Sequence, residues 1–205
     1  MCDLDTEDRK KPIEIDLLSS PKIIQKWDPQ FLLRQNCWKV FSGKWELQSP
    51  NRVIYHRDTK LKQGESVVII GSRKWNDFTL QARFKLLTDS IKPPEGGVIL
   101  YFLFKNIRNY YSFHFCLFKE KVELIKRLRG VWSIIAEQDY AFETQKDYWI
   151  TIRTSSGVHQ CHLDGRKLLE ITDKDISKGC VGIGGKYCDV EFSRLSVSIS
   201  SNSFY

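Results

Sequence analysis

From Trp38 onward, apolar and polar residues exchange places at every second position, and Gly, Pro, Asn or Asp breaks the pattern at short intervals. The clearest stretch is Phe78-Thr79-Leu80-Gln81-Ala82-Arg83-Phe84-Lys85-Leu86, apolar at even positions and polar at odd ones. Successive side chains of a strand leave on opposite sides, so this run predicts a half-buried strand that turns Gln81, Arg83 and Lys85 away from the core. By the same reading Ile150 and Ile152 point inward and leave Trp149, Thr151 and Arg153 outside. Tyr111, Phe113, Phe115 and Leu117 point inward against Ser112 and His114, and Val122 and Leu124 against Glu123. The run Val98–Phe104 is apolar on both sides, as in a strand central to a sheet, and Tyr101 has either face open to it.

Strand-like runs cover Trp38–Leu47, Arg52–His56, Ser66–Ile70, Phe78–Leu87, Val98–Phe104, Tyr110–Phe118, Lys121–Leu128 and Val131–Gln138. They continue through Trp149–Thr154, His159–Leu163, Arg166–Ile171, Cys180–Gly184 and Val190–Ser198. The sharpest turn signal is Leu163-Asp164-Gly165-Arg166, because Asp-Gly tolerates the two positive φ angles of a tight hairpin. No apolar spacing of helical period lasts beyond about three turns. Many short strands without helices make a two-sheet antiparallel sandwich or a barrel, and the lack of an internal repeat argues against a propeller. Ile13–Leu17 alternates as a first strand would, and residues 19–37 read as a connection with a helical turn near Gln30 to Arg34. The expected organisation is a tail over 1–12, one all-β sandwich domain over 13–198, and a tail over 199–205.

Length and composition fit that picture. The 205 residues suit one domain, and 28% charged with 41% hydrophobic residues describes a globular chain. No apolar run is long enough to span a bilayer. The acidic start Met1-Cys2-Asp3-Leu4-Asp5 shows no signal peptide, which leads to the expectation of a cytoplasmic protein, or a secreted one if a leader was removed. In the first case the six cysteines are reduced; in the second, Cys180 with Cys188 is the first pair to test. The net charge of +7 admits an acidic partner such as nucleic acid, an anionic glycan or other anionic polymer, or a membrane surface, although Lys and Arg are spread along the chain.

Several motifs resemble one family. Trp38, Ser42-Gly43-Lys44-Trp45-Glu46, Trp75-Asn76-Asp77-Phe78, Gly96-Gly97-Val98-Ile99-Leu100-Tyr101-Phe102 and Asn109-Tyr110-Tyr111-Ser112-Phe113 follow in order. Tyr148-Trp149, Leu163-Asp164-Gly165, Gly182-Ile183-Gly184 and Phe192-Ser193-Arg194-Leu195-Ser196-Val197 complete the set. Over residues 36–198 this resembles the concanavalin A-like lectin/glucanase superfamily, nearest to laminin G-like modules, levan-binding-type modules and 3-keto-disaccharide hydrolases. The resemblance implies a jelly-roll sandwich that holds a sugar on a sheet face or its rim loops. Relatives hold a structural calcium where the last strand carries Phe-Asp-Asn. Here Phe192-Ser193-Arg194 lacks the carboxylate, so no cofactor is expected.

The candidate ligand patch consists of the outward Gln81, Arg83, His114 and Glu123, with Tyr101, Trp149 and the loop residue Asn109 beside them. Arginine offers a planar fork of donors, glutamate two acceptors, and the aromatics a face on which a sugar stacks. The first expectation is therefore a non-catalytic, lectin-like module for a glycan or other polyhydroxylated ligand. A glycoside hydrolase is the alternative, with Glu123 as the candidate acid; the Glu-x-Asp-x-x-Glu pattern of the glucanases is missing. A protein- or nucleic-acid-interaction domain on the same scaffold is the third reading. His159-Gln160-Cys161-His162 places His159 and Cys161 on one side of a strand and His162 on the other, so only two metal ligands converge and no metal site is expected.

Overall fold

The computed structural model of the chain describes residues 13–16, 22–24, 37–49, 52–56, 65–87 and 96–199. All regular structure among them is strand: β1 (Ile13–Asp16), β2 (Lys22–Ile24), β3 (Cys37–Ser42), β4 (Lys44–Ser49), β5 (Arg52–His56), β6 (Glu65–Ile70), β7 (Phe78–Leu86) and β8 (Gly97–Asn106). Then come β9 (Asn109–Cys116), β10 (Lys121–Leu128), β11 (Val131–Asp139), β12 (Asp147–Ser155), β13 (Val158–Leu163), β14 (Arg166–Thr172), β15 (Cys180–Lys186) and β16 (Val190–Ile199). Sheet A runs β14-β13-β12-β7-β16-β5-β4, with β1 also paired to β16. Sheet B runs β11-β10-β9-β8-β15-β6-β3-β2. No helix of the described residues is long and apolar enough to cross a membrane. The expected tail over 1–12, the helical turn near Gln30 to Arg34 and the residues after Ile199 lie outside the described residues.

Burial follows the two-residue period. Along β7 buried and half-buried residues alternate without a break, which places Phe78, Leu80, Ala82, Phe84 and Leu86 between the sheets. Phe113, Phe115, Val122, Leu124, Ile150 and Ile152 join them there, as their spacing predicts. Aromatic rings fill much of the layer: Phe84 stacks on Tyr148 at 5.4 Å and Phe102 on Phe113 at 5.3 Å. Truncating one such ring to alanine costs about 3–5 kcal/mol, so these positions hold the two sheets together.

Three details depart from the sequence reading. The run Trp38–Leu47 is two strands in different sheets, because Gly43 with φ of 88° lets the chain turn from β3 in sheet B into β4 in sheet A. β2 pairs with β3 in parallel, within an otherwise antiparallel sandwich. A bulge at Leu103, with φ of 48°, keeps Leu103 in the core beside Phe102 and sends Phe104 to the opposite face of β8. The Asp164-Gly165 hairpin forms as expected, with positive φ at both residues (49° and 82°).

Candidate functional site

Strands β12, β7 and β16 lie side by side in sheet A, and their register sets Trp149 opposite Arg83 and Arg83 opposite Arg194. The next row on the same outer face is Thr151, Gln81 and Ser196. Three predicted residues, Gln81, Arg83 and Trp149, thus meet on one surface. Trp149 is 40% exposed, and the guanidinium carbons of Arg83 and Arg194 lie 5.7 and 5.6 Å from its ring centre. Each such cation–ring contact contributes about 0.5–1 kcal/mol at an exposed site, which orients the indole. The Arg83 guanidinium donates to the Asp147 carboxylate at 2.8 Å, and Lys85 approaches the same oxygen at 3.5 Å. Partial burial works to raise the Asp147 carboxyl, but the Arg83 and Lys85 charges outweigh it and hold it below the usual carboxylate range.

The platform is anchored from behind. The Trp149 amide donates to the Asp164 carboxylate at 2.9 Å, and the Asp164 amide returns a bond to the Trp149 carbonyl at 2.7 Å. Two buried polar atoms on this face carry no hydrogen-bond partner, Arg83 Nε in the row of Trp149 and Ser196 Oγ in the next row.

The remaining predicted residues stand elsewhere. Tyr101, His114 and Glu123 belong to β8, β9 and β10 of sheet B, where they do turn away from the core. Outward from sheet B is the opposite direction to outward from sheet A, so the expected single patch divides between two faces. Asn109 stands apart from both, at the turn between β8 and β9. His114 and Glu123 are also buried, only 8% and 3% exposed. Ile99, Tyr101, Phe104 and Tyr110 form a second apolar cluster on that face, with Tyr101 packed above the side-chain-free Gly182 and Gly184. Glu123 is opposite Glu137 across β10 and β11, but the Glu123 carboxylate takes the Lys119 ammonium at 3.1 Å and Glu137 takes Lys121 at 2.6 Å.

A polar cluster at one end of the sandwich carried no sequence signal. Asp173, just past β14 of sheet A, accepts from Lys126 (2.5 Å) and from the Tyr111 hydroxyl of sheet B. Lys126 also reaches Asp175 at 2.8 Å, and His159 bridges the Thr154 hydroxyl (2.9 Å) and the Asp173 carbonyl (3.0 Å). Burial raises the Asp173 carboxyl, yet the bonds from Lys126 and Tyr111 bring it below its ordinary value. The cluster ties the two sheets together across one edge. His159 and Cys161, paired on one face as their spacing predicts, are both buried, and His159 is spent on these structural bonds. Cys180 and Cys188 are buried thiols not joined to each other, directed to the Gly71 and Gly97 carbonyls respectively.

No protein-family model and no curated protein matches the sequence. Solved structures do match the fold. The carbohydrate-binding module CBM66 from Bacillus subtilis aligns with a TM-score of 0.67 at 19% identity, over 78% of this chain and 94% of that one. The VIP36 exoplasmic/lumenal domain in its Ca2+/Man-bound form aligns at 0.59 and 13% identity, over 78% and 82%. A structure described as a native glycosidic hydrolase aligns at 0.59 and 12% identity, over 93% and 96%. The fold is the concanavalin A-like β-sandwich.

Within this concanavalin A-like sandwich, the last-strand position at which relatives of the resemblance hold calcium is Phe192-Ser193-Arg194. A bulge there aims Arg194 at Trp149, and a guanidinium repels a cation where a carboxylate would attract one. The residues present therefore do not fit calcium at this position. Among the described residues, no group of three or more His, Cys, Asp or Glu side chains converges as a metal site would require. Arg194 and Asp147 are the platform members that alternation alone did not single out; their neighbours on β7 and β12 reveal them only once strand order is known.

Proposed function

We propose that this chain is a lectin-like, non-catalytic binding module for a glycan or other polyhydroxylated ligand, held on the outer face of sheet A around Trp149. One observation carries the reading: an exposed indole in contact with two arginines, with Asp147 on Arg83 and Gln81 in the next row of the same face. The indole supplies the flat apolar surface that a sugar ring's C–H face packs on, and the surrounding donors and acceptors match hydroxyl groups. Two of the structural neighbours, a carbohydrate-binding module and a mannose-bound lumenal domain, support the same class of ligand.

A glycan array at low and high salt, followed by titration calorimetry, tests this. A neutral sugar bound equally well at both salt concentrations is expected, since no counterions are released. Trp149→Ala should weaken that binding about 30-fold and Arg83→Ala about tenfold, as loss of a central aromatic or arginine anchor does. A blank array, or binding that survives both substitutions, overturns the proposal. The hydrolase reading draws on the Glu123–Glu137 cross-strand pair alone; turnover lost in Glu123→Gln and kept in Trp149→Ala would favour it instead.

A further inference from the structure

The hairpins β8–β9 and β10–β11 end side by side at one end of sheet B, and their turns are bonded to each other. The Gly130 amide donates to the Arg108 carbonyl at 2.9 Å, and the Arg108 guanidinium donates to the Arg129 carbonyl at 3.1 Å. The Arg129 amide donates to Asn109 Oδ1 at 2.9 Å, while Asn106 Oδ1 accepts from the Arg108 amide and from Asn109 Nδ2. Left-handed backbone at Arg129 and Gly130 closes the second turn. Asn109 is thus a strut of a rigid double turn.

What this double turn shows to solvent is unusual for a soluble surface. Ile107 is 57% exposed, Val131 71% and Trp132 50%, although water disfavours such side chains. Lys105, Arg108, Arg127 and Arg129 stand among them, and none of the four pairs with a carboxylate among the described residues. Neither the stretch 96–119 nor the stretch 124–136 contains an Asp or Glu, so no acidic residue of either hairpin dilutes the charge here. A shallow cavity of about 550 Å³ lies at the same tip, lined by Asn106, Ile107, Arg108, Asn109 and Arg129. Apolar tips among cations, beside a shallow, largely apolar cavity bordered by Arg108 and Arg129, match a surface that is negatively charged outside and apolar beneath.

We propose that this end of the sandwich docks on an anionic phospholipid bilayer, with Ile107, Val131 and Trp132 entering the interface and Arg108 and Arg129 receiving a headgroup phosphate. The contact is peripheral and needs no membrane-spanning segment. It uses β8–β11 of sheet B and leaves the Trp149 face of sheet A open, so it stands independently of the glycan reading.

Co-sedimentation of the full chain with phosphatidylcholine vesicles, with and without phosphatidylserine, tests the proposal. Binding should require phosphatidylserine and weaken as salt is raised. Lys105→Gln with Arg129→Gln keeps the side-chain stems and should weaken binding about 25-fold, at about fivefold per cation. Ile107→Ser with Trp132→Ser should weaken it at least about tenfold by removing the inserted apolar surface, with an unchanged melting temperature because both side chains are at least half exposed. Trp149→Ala should leave vesicle binding intact. Absence of vesicle binding, equal binding to neutral vesicles, or indifference to the Ile107/Trp132 pair overturns the proposal. Retention on heparin that depends on the cations but not on that pair, without vesicle binding, would make the tip a site for a soluble polyanion.

Discussion

His114 lies on β9 with its Nε2 buried and unpartnered, and burial, helped by Lys186 and Lys119, pushes its pKa from 6.5 down to about 3. The folded protein therefore keeps this imidazole neutral where the unfolded chain takes up a proton. The stability contributed by the group is fully present above pH 6.5 and drains away as pH falls toward 3. With those two values, lowering the pH from about 7.5 to about 5 costs about 2 kcal/mol. Urea unfolding of the wild type and of His114→Leu at both pH values isolates the effect. Every other titrating group, including His159, whose pKa burial also lowers, is common to both proteins and cancels in the difference. The wild type should lose about 2 kcal/mol more than the variant over this interval. Equal losses would mean that His114 is protonated in the folded protein, and that the outer face of sheet B is wetter than its 8% exposure implies.

Two further outcomes follow from packing and from the inter-sheet cluster. A Cβ on Gly97 would overlap the Phe115 carbonyl oxygen of the paired strand and come within 3.2 Å of Cys116 Cα, so Gly97→Ala should destabilise by about 1–3 kcal/mol. Calorimetry should show this as a melting temperature lowered by about 2–12 °C, and an unchanged value would contradict the close pairing of β8 with β9. Asp173→Asn should cost about 1.5–3 kcal/mol in urea unfolding, because it weakens the charged bonds from Lys126 and Tyr111 that join the sheets. Lys126→Met should cost less in the Asp173→Asn background than in the wild type, since its bond to Asp173 is already weakened while that to Asp175 remains; fully additive effects would show that Lys126 and Asp173 act separately.

Most of the sandwich is legible in the sequence. The alternation in β7, β9, β10 and β12 set which side chains face the core, because a strand's geometry turns each residue by half a revolution whatever it pairs with. The same local rule set the Asp164-Gly165 hairpin, where positive φ is a property of the two residues themselves. The rule is silent where both sides are apolar: Tyr101 lies on the outer face of sheet B, and the bulge at Leu103 then shifts Phe104 to join it.

The candidate site was legible only in part, for a related reason. Alternation says that a residue points away from its own sheet, but not which sheet that is. Gln81, Arg83 and Trp149 met because β7 and β12 are neighbours in sheet A, while Tyr101, His114 and Glu123 went with sheet B to the other side of the molecule. Strand order also supplied Arg194 and Asp147 to the indole, and Asp173 to Tyr111 and Lys126. The chain by itself thus determined the strands, their buried sides and their tight turns, all of which rest on neighbours within a few residues. Only the tertiary structure decided which polar residues share a surface, because that depends on long-range pairing between segments whose separation in sequence carries no record of it.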